Sequence, residues 1–192
     1  GVRRFMLVSA LCGGDSAYAR SKRAGEQALR ALGDALDLQI VQPSLVLGVG
    51  GGSSRQLEGL ARLPWLALPA AVRRCKVQPL RVEDLAAALV RALHAPAPAQ
   101  PWQAVGPRAA PLAAWIAERR RVHGHAPARC WTLPEALVRA SARLGDAWAR
   151  SSWSREALAL LQQDSVAHSA AAARFAELLG RAPQDPLQGA WQ

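Results

Sequence analysis

Residues 4–11 (RFMLVSAL) form a nearly continuous apolar run, the pattern of a parallel strand buried on both faces. Gly13-Gly14-Asp15-Ser16 breaks that run into a loop and places Asp15 or Ser16 to cap a following helix. Residues 17–33 then set Ala24, Ala28, Leu29 and Leu32 on one helical face and stop at Gly33. Residues 37–43 (DLQIVQP) predict the next strand, closed by Pro43 and the glycine-rich loop 47–52. Strand, helix, strand in so short a span is the βαβ rhythm of an α/β domain. Helical spacing over 54–63 leads to a turn at Pro64–Pro69. Residues 76–82 predict a short strand, 83–94 a strongly periodic helix, 95–101 a proline-rich linker and 102–105 a last strand. From Ala110 onward the pattern is helical, over 110–121, about 134–149, 154–163 and 170–180. There is no internal repeat.

Composition changes this picture in three places. The net charge of +10 is almost wholly arginine, since Lys22 and Lys76 are the only lysines. The arginines are scattered, their longest run is Arg119-Arg120-Arg121, and no aromatic platform is interleaved with them. A solvated basic surface is therefore expected, and no nucleic-acid partner. Cys12, Cys75 and Cys130 are odd in number and widely spaced, which fits buried or idle thiols in a reducing compartment. Arg3-Arg4 with the apolar run after it imitates a signal peptide, but the run ends at Cys12 and is too short. No other stretch is long enough to span a membrane, so a cytoplasmic chain without stable membrane insertion is expected. The chain starts at Gly1, at the edge of a core strand, which predicts a truncated gene product or fragment.

The chemistry concentrates at Tyr18 and Lys22. Tyr18 is the only tyrosine, and one of two lysines follows it by four residues, on the same helical face. A lysine retained where arginine has replaced nearly all others points to a role for a compact ammonium. An unperturbed phenol is a poor acid or base at neutral pH. A nearby ammonium stabilises the phenolate and is expected to bring its pKa down, and the same lysine can donate to a ribose. Ser9, at the carboxyl end of the first strand, would hold a carbonyl or alcohol oxygen beside the phenol.

The stretches Phe5-Met6-Leu7-Val8-Ser9-Ala10-Leu11, Tyr18-Ala19-Arg20-Ser21-Lys22 with Gly25-Glu26, and Val41-Gln42-Pro43-Ser44-Leu45-Val46-Leu47-Gly48 resemble the second half of an atypical short-chain dehydrogenase/reductase. More narrowly, they are similar to the epimerase/dehydratase-like branch related to the NAD(P)-binding accessory subunit of respiratory complex I. Residues 78–84, 103–107 and 178–183 share that likeness, so it runs through nearly the whole chain. The resemblance implies a partial Rossmann-type fold, a doubly wound parallel sheet lacking its first βαβ units. Residues 1–107 would be the back half of that domain and 108–192 a mainly helical substrate-side region. It also implies NAD or NADP as cofactor, catalytic Tyr18, Lys22 and Ser9, and Pro43 and Ser44 near the nicotinamide. Two features depart from the family. The glycine-rich turn that cradles the pyrophosphate has no counterpart in these residues, and Ser9 precedes Tyr18 by only nine positions.

Rival motifs are weaker. The run Gly48–Ser54 lacks the lysine of a phosphate loop and the spacing of a dinucleotide fingerprint, and is expected to be a flexible substrate-side loop. His123, His125 and Cys130 are three metal-ligand candidates without a fourth, so incidental histidines are expected. Ser9, Ser44 and His94 form no hydrolase elbow. Trp102, Trp115, Trp131, Trp148 and Trp153 suit packing, and Glu83-Asp84 a helix N-terminal charge pair. The function expected is an NAD(P)-dependent oxidoreductase or epimerase acting on a carbonyl, alcohol or nucleotide-sugar-like small molecule. The competing expectation is a non-catalytic NAD(P)-binding scaffold, with a respiratory or membrane complex as protein partner.

Overall fold

A computed structural model of the chain describes residues 1–33, 36–146 and 154–188. The elements run β1 (Arg4–Val8), α1 (Ala17–Arg30), β2 (Asp37–Pro43), β3 (Val46–Leu47), α2 (Gly52–Arg62), β4 (Trp65–Pro69), α3 (Ala70–Arg74), β5 (Lys76–Val77) and β6 (Leu80–Arg81). They continue with α4 (Val82–His94), β7 (Trp102–Ala104), β8 (Ala110–Pro111), α5 (Leu112–Val122), β9 (Arg129–Leu133), α6 (Glu135–Asp146), α7 (Arg155–Leu160) and α8 (Ser169–Leu179).

The main sheet has the order β1-β2-β7, all parallel, with Leu7 opposite Ile40 and Val41 opposite Trp102. Parallel pairing brings the carboxyl ends of the three strands to one edge. One face of the sheet, through Val41 and Ala104, packs against Leu85 and Ala88 of α4 and Phe175 and Leu179 of α8. On that face Gln39 is fully buried and satisfied, donating to the Ala95 carbonyl and accepting from the Trp102 indole. α1 covers the other face, where Gln42 donates to Glu26 at 2.8 Å. Helices on both faces make the sheet doubly wound, the partial Rossmann-type α/β architecture expected. A second apolar cluster joins Leu47, Leu57, Leu68, Val72, Trp115 and Ile116 beside the carboxyl edge.

The structure differs from the pattern-based expectation where non-local pairing decides. The proline-flanked segment expected as a turn is β4, which pairs in parallel with β9 from the region expected to be helical. The expected strand 76–82 is two short strands, because Gln78-Pro79 leaves the ladder between β5 and β6. β5 pairs antiparallel with β8. The apolar face assigned to α1 points outward, with Leu32 55% exposed, while Ala19 and Glu26 are buried. A carboxylate can face the sheet there because Gln42 and Arg30 satisfy it. Arg119 and Arg120, expected on a solvated surface, are buried. Arg119 pairs with Glu58, and Arg120 donates to the carbonyls of Ala61 and Leu63 at the end of α2. Trp115 is fully buried, whereas Trp65 and Trp131 meet in a tilted contact, centroids 5.3 Å apart, on the exposed side of β4 and β9. Trp148 and Trp153 lie outside the described residues. Among the described residues, no helix is long and apolar enough to cross a membrane.

Gly106 shows how tightly the carboxyl edge is built. Its amide donates to the Gln78 carbonyl, its carbonyl accepts from the Gln78 side chain, and a Cβ placed on it would stand 1.7 Å from the Pro79 carbonyl oxygen. Gly106→Ala must therefore push two backbones apart and should cost about 3 kcal/mol of stability, read as a lowered urea midpoint.

Candidate active site

The site grows from the ends of β1 and β2. Ser9 follows the last residue of β1, and its amide donates to the Val41 carbonyl at 2.8 Å, one step beyond the ladder. Its side chain is held inside the fold, 4% exposed, and its hydroxyl has no hydrogen-bond partner among the described residues. Leaving a buried hydroxyl unpaired costs on the order of 1–3 kcal/mol, so such a group in a cavity wall is a ready partner for a ligand oxygen.

Ser16 caps α1, its hydroxyl accepting from the Ala19 amide at 3.1 Å. Glu156 on α7 takes the other first-turn donors, the amides of Tyr18 at 2.6 Å and Ala17 at 3.2 Å. These bonds, that to the Tyr18 amide foremost, hold the Glu156 carboxyl below the usual carboxylate range. With both helix ends of this contact fixed, Tyr18 stands at 41% exposure over the cavity.

Lys22 lies one turn further on, its Nζ 5.4 Å from the centroid of the Tyr18 ring. The phenol pKa is nevertheless raised, first by burial and then by Cys12 beside it. The downward shift expected from Lys22 is not found: the ammonium stands over the ring, and burial of the phenol sets the direction. The Cys12 thiol is itself raised, mainly by burial, against the pull of Arg23. At neutral pH Tyr18 is therefore a protonated donor.

Ser9, Tyr18, Pro43 and Ser44 all border one cavity of about 1010 Å³, walled further by α2, α3, α5 and the 160–165 segment. Lys22 borders a second cavity of about 220 Å³, lined also by Arg23, Glu26 and Gln42. Ala10 and Cys12 line both, so the two cavities meet at the loop after β1. Pro43 ends β2, and Ser44 is buried, its hydroxyl donating to the Ser165 carbonyl at 2.7 Å and lying 2.9 Å from the Ser165 hydroxyl. Ser165 in turn donates to the Leu11 carbonyl at 2.6 Å, and Gln163 packs against Gly13 and Gly14. Gln163, Asp164 and Ser165 escaped notice in the sequence because they sit in a polar joint between helices and match no motif.

The glycine-rich loop leads into α2 on the cavity side, where Ser53 lines the wall and the Ser54 hydroxyl accepts from the Gly48 amide. His123 lies 2.5 Å from Glu58, which burial pushes up but which Arg119 and His123 together hold below its ordinary range. Cys130 is exposed, and the described residues contain no group of three or more side chains able to hold a metal.

No family model matches the chain, and no curated protein matches it. Solved structures do. The chain is similar to RMD from Pseudomonas aeruginosa complexed with NADPH, at 14% identity and TM-score 0.62, over 96% of this chain and 63% of that one. It is similar to the human epimerase family protein SDR39U1 with NADPH, at 20% identity and TM-score 0.65, over 96% and 62%. It is also similar to UDP-glucuronic acid 4-epimerase from Bacillus cereus, at 14% identity and TM-score 0.63, over 96% and 57%. Two of these neighbours are named as epimerases, and all three are described in complex with NADPH or NAD. At such identities the likeness establishes a shared fold, and the chain spans about three fifths of the length of these structures.

Tyr18 is the only tyrosine, so its ionisation can be followed directly by phenolate absorbance. The titration midpoint should lie above that of free tyrosine, and a midpoint at or below it would contradict the burial argument. Since the folded chain holds this proton more tightly than the unfolded one, the associated stability is present below the ordinary phenol pKa. It should fade as pH rises through the folded value, and Tyr18→Phe should remove that slope.

Proposed function

We propose that this chain forms the substrate side of an NAD(P)-dependent oxidoreductase or epimerase of the short-chain dehydrogenase type. The observation that carries this reading is the buried, unpartnered Ser9 hydroxyl in the wall of the cavity that Tyr18 also borders. Ser9 would donate to a substrate carbonyl oxygen, or accept from an alcohol, and hold it beside the phenol. Tyr18, kept protonated, would give its proton to that oxygen as a carbonyl becomes an alcohol, and take one back in the reverse direction.

The residues present fit part of a nicotinamide dinucleotide. The smaller cavity offers Lys22, Arg23, Glu26 and Gln42 as donors and acceptors for a ribose, and it adjoins the cavity holding the unpaired Ser9 hydroxyl. Pro43 and Ser44 would border the ring side. A nicotinamide bound there supplies or accepts the hydride. The pyrophosphate-cradling turn has no counterpart among these 192 residues. The NADPH and NAD complexes of the neighbouring structures support this assignment. A second reading, a non-catalytic NAD(P)-binding scaffold or accessory protein of a respiratory or membrane complex, is favoured by Lys22 bordering the smaller cavity while Tyr18 borders the larger one.

A version extended at its amino terminus by a strand and a glycine-rich turn separates the two. It should bind NADH or NADPH and turn over carbonyl substrates, and Tyr18→Phe should lower kcat by about 10²–10⁴-fold with cofactor binding retained. Binding with no turnover across carbonyl and nucleotide-sugar substrates would favour the scaffold, and unchanged turnover in Tyr18→Phe would remove Tyr18 from the chemistry.

A further inference from the structure

We propose that the large cavity accepts a neutral, mainly hydrocarbon molecule with a single carbonyl or secondary alcohol, and not a nucleotide-linked sugar. The inference rests on the oxidoreductase reading above and names the substrate class of that same site.

Its first support is the wall. Leu57, Leu60, Leu68, Val72, Ile116 and Leu160 form the sides, contributed by four helices and a strand. The chain carries 24 lysines and arginines, so a cation is its default charged residue, yet none of them lines this cavity among the described residues. The one charged lining residue described is Asp164, an anion. A diphosphate brings negative charge that must be met by guanidinium, ammonium or helix amides when it is taken out of water. Asp164 would oppose it.

The second support is where the nearby donors are directed. The amides at the start of α1 that could have met a phosphate already bind the Glu156 carboxylate. Arg55, two residues beyond the lining Ser53, donates to the Gly50 carbonyl. Lys22 and Arg23 border the smaller cavity.

The third support is the distribution of polar groups at the strand ends. Ser44 and Ser165 bond each other, and the Asp164 carboxylate accepts from the Lys76 amide at 2.8 Å. Two buried polar side-chain atoms lack a partner among the described residues, the Ser9 hydroxyl and Gln103 Oε1 in β7; only Ser9 lines this cavity, and Tyr18 borders the same space. The wall thus offers an oxygen atom the unpaired Ser9 hydroxyl and the Tyr18 phenol, and is otherwise mainly apolar, with Ser53, Gln56, Ser141, Gln163 and Asp164 as further polar side chains. Burial of hydrocarbon in such a space is favourable at roughly 25 cal/mol per Å².

Isothermal titration of this chain with 2-decanone and with UDP-glucose tests the proposal. 2-Decanone should bind saturably and at least about tenfold more tightly than UDP-glucose. Leu60→Arg and, separately, Leu160→Arg should each weaken 2-decanone about tenfold or more with unchanged thermal melts, so that a folding defect in one does not decide the outcome. Tighter binding of UDP-glucose, no binding of 2-decanone, or 2-decanone binding indifferent to both substitutions in folded protein would each overturn it. Cofactor binding by the extended version is a separate readout. Loss of that binding overturns the oxidoreductase reading, whereas a folded, cofactor-binding protein that prefers UDP-glucose overturns only the substrate class.

Discussion

The carboxyl edge of the β1-β2-β7 sheet is where the structure must reconcile the backbone groups of several loops at once, and Gln78 and Ser165 do so. A parallel ladder ends abruptly, and the amides and carbonyls just past it need partners from outside the sheet. The Gln78 side chain donates to the Gly106 carbonyl and accepts from the Ala167 amide, while its own amide donates to the Ser165 carbonyl. Ser165 adds the Leu11 carbonyl after β1, the Ser44 hydroxyl after β2 and the Lys76 carbonyl of β5. Two neutral residues thus tie the exits of all three strands to the carboxyl-terminal part of the chain. The position of Ser9 beneath the cavity, and of the 160–165 segment above it, follows from that knot.

Two buried ion pairs lie away from this edge, Arg119 with Glu58 between α5 and α2, and Asp84 at the start of α4 with Arg181 and the Gln184 amide. Each is satisfied by more than one partner, as a buried charge requires. At the strand ends burial raises the Tyr18 phenol and the Cys12 thiol, although Lys22, Arg23 and Glu26 border the smaller cavity there. A phenol in that setting is suited to giving a proton to an oxygen held beside it. It is less suited to existing as a phenolate, despite the lysine one turn away.

The parts of the fold legible in the sequence were those set by local pattern. The apolar run before Ser9, the Ser16 cap, β2 ending at Pro43 and the α4 periodicity each follow from side chains within one element. Ser9, Tyr18, Pro43 and Ser44 were legible for the same reason, since two strand ends and one capped helix place them. The rest depended on partners distant in the chain. β4 and β9 are short and half-exposed, and only their mutual pairing makes either a strand. The inward face of α1 carries Glu26, which no hydrophobic periodicity would select, because Gln42 completes it from another element. Ser165 carries no signature of its own, and its importance comes from what it joins.

The central claim is that Ser9 and Tyr18 act on one ligand oxygen in a mainly apolar cavity. A double-mutant cycle on 2-decanone affinity, with Ser9→Ala, Tyr18→Phe and both together, tests it most directly. If the two hydroxyls share that oxygen, the losses are non-additive, with a coupling of about 0.5–3 kcal/mol. Losses that add to within about 0.3–0.5 kcal/mol would show that the two groups bind independently and would contradict the account.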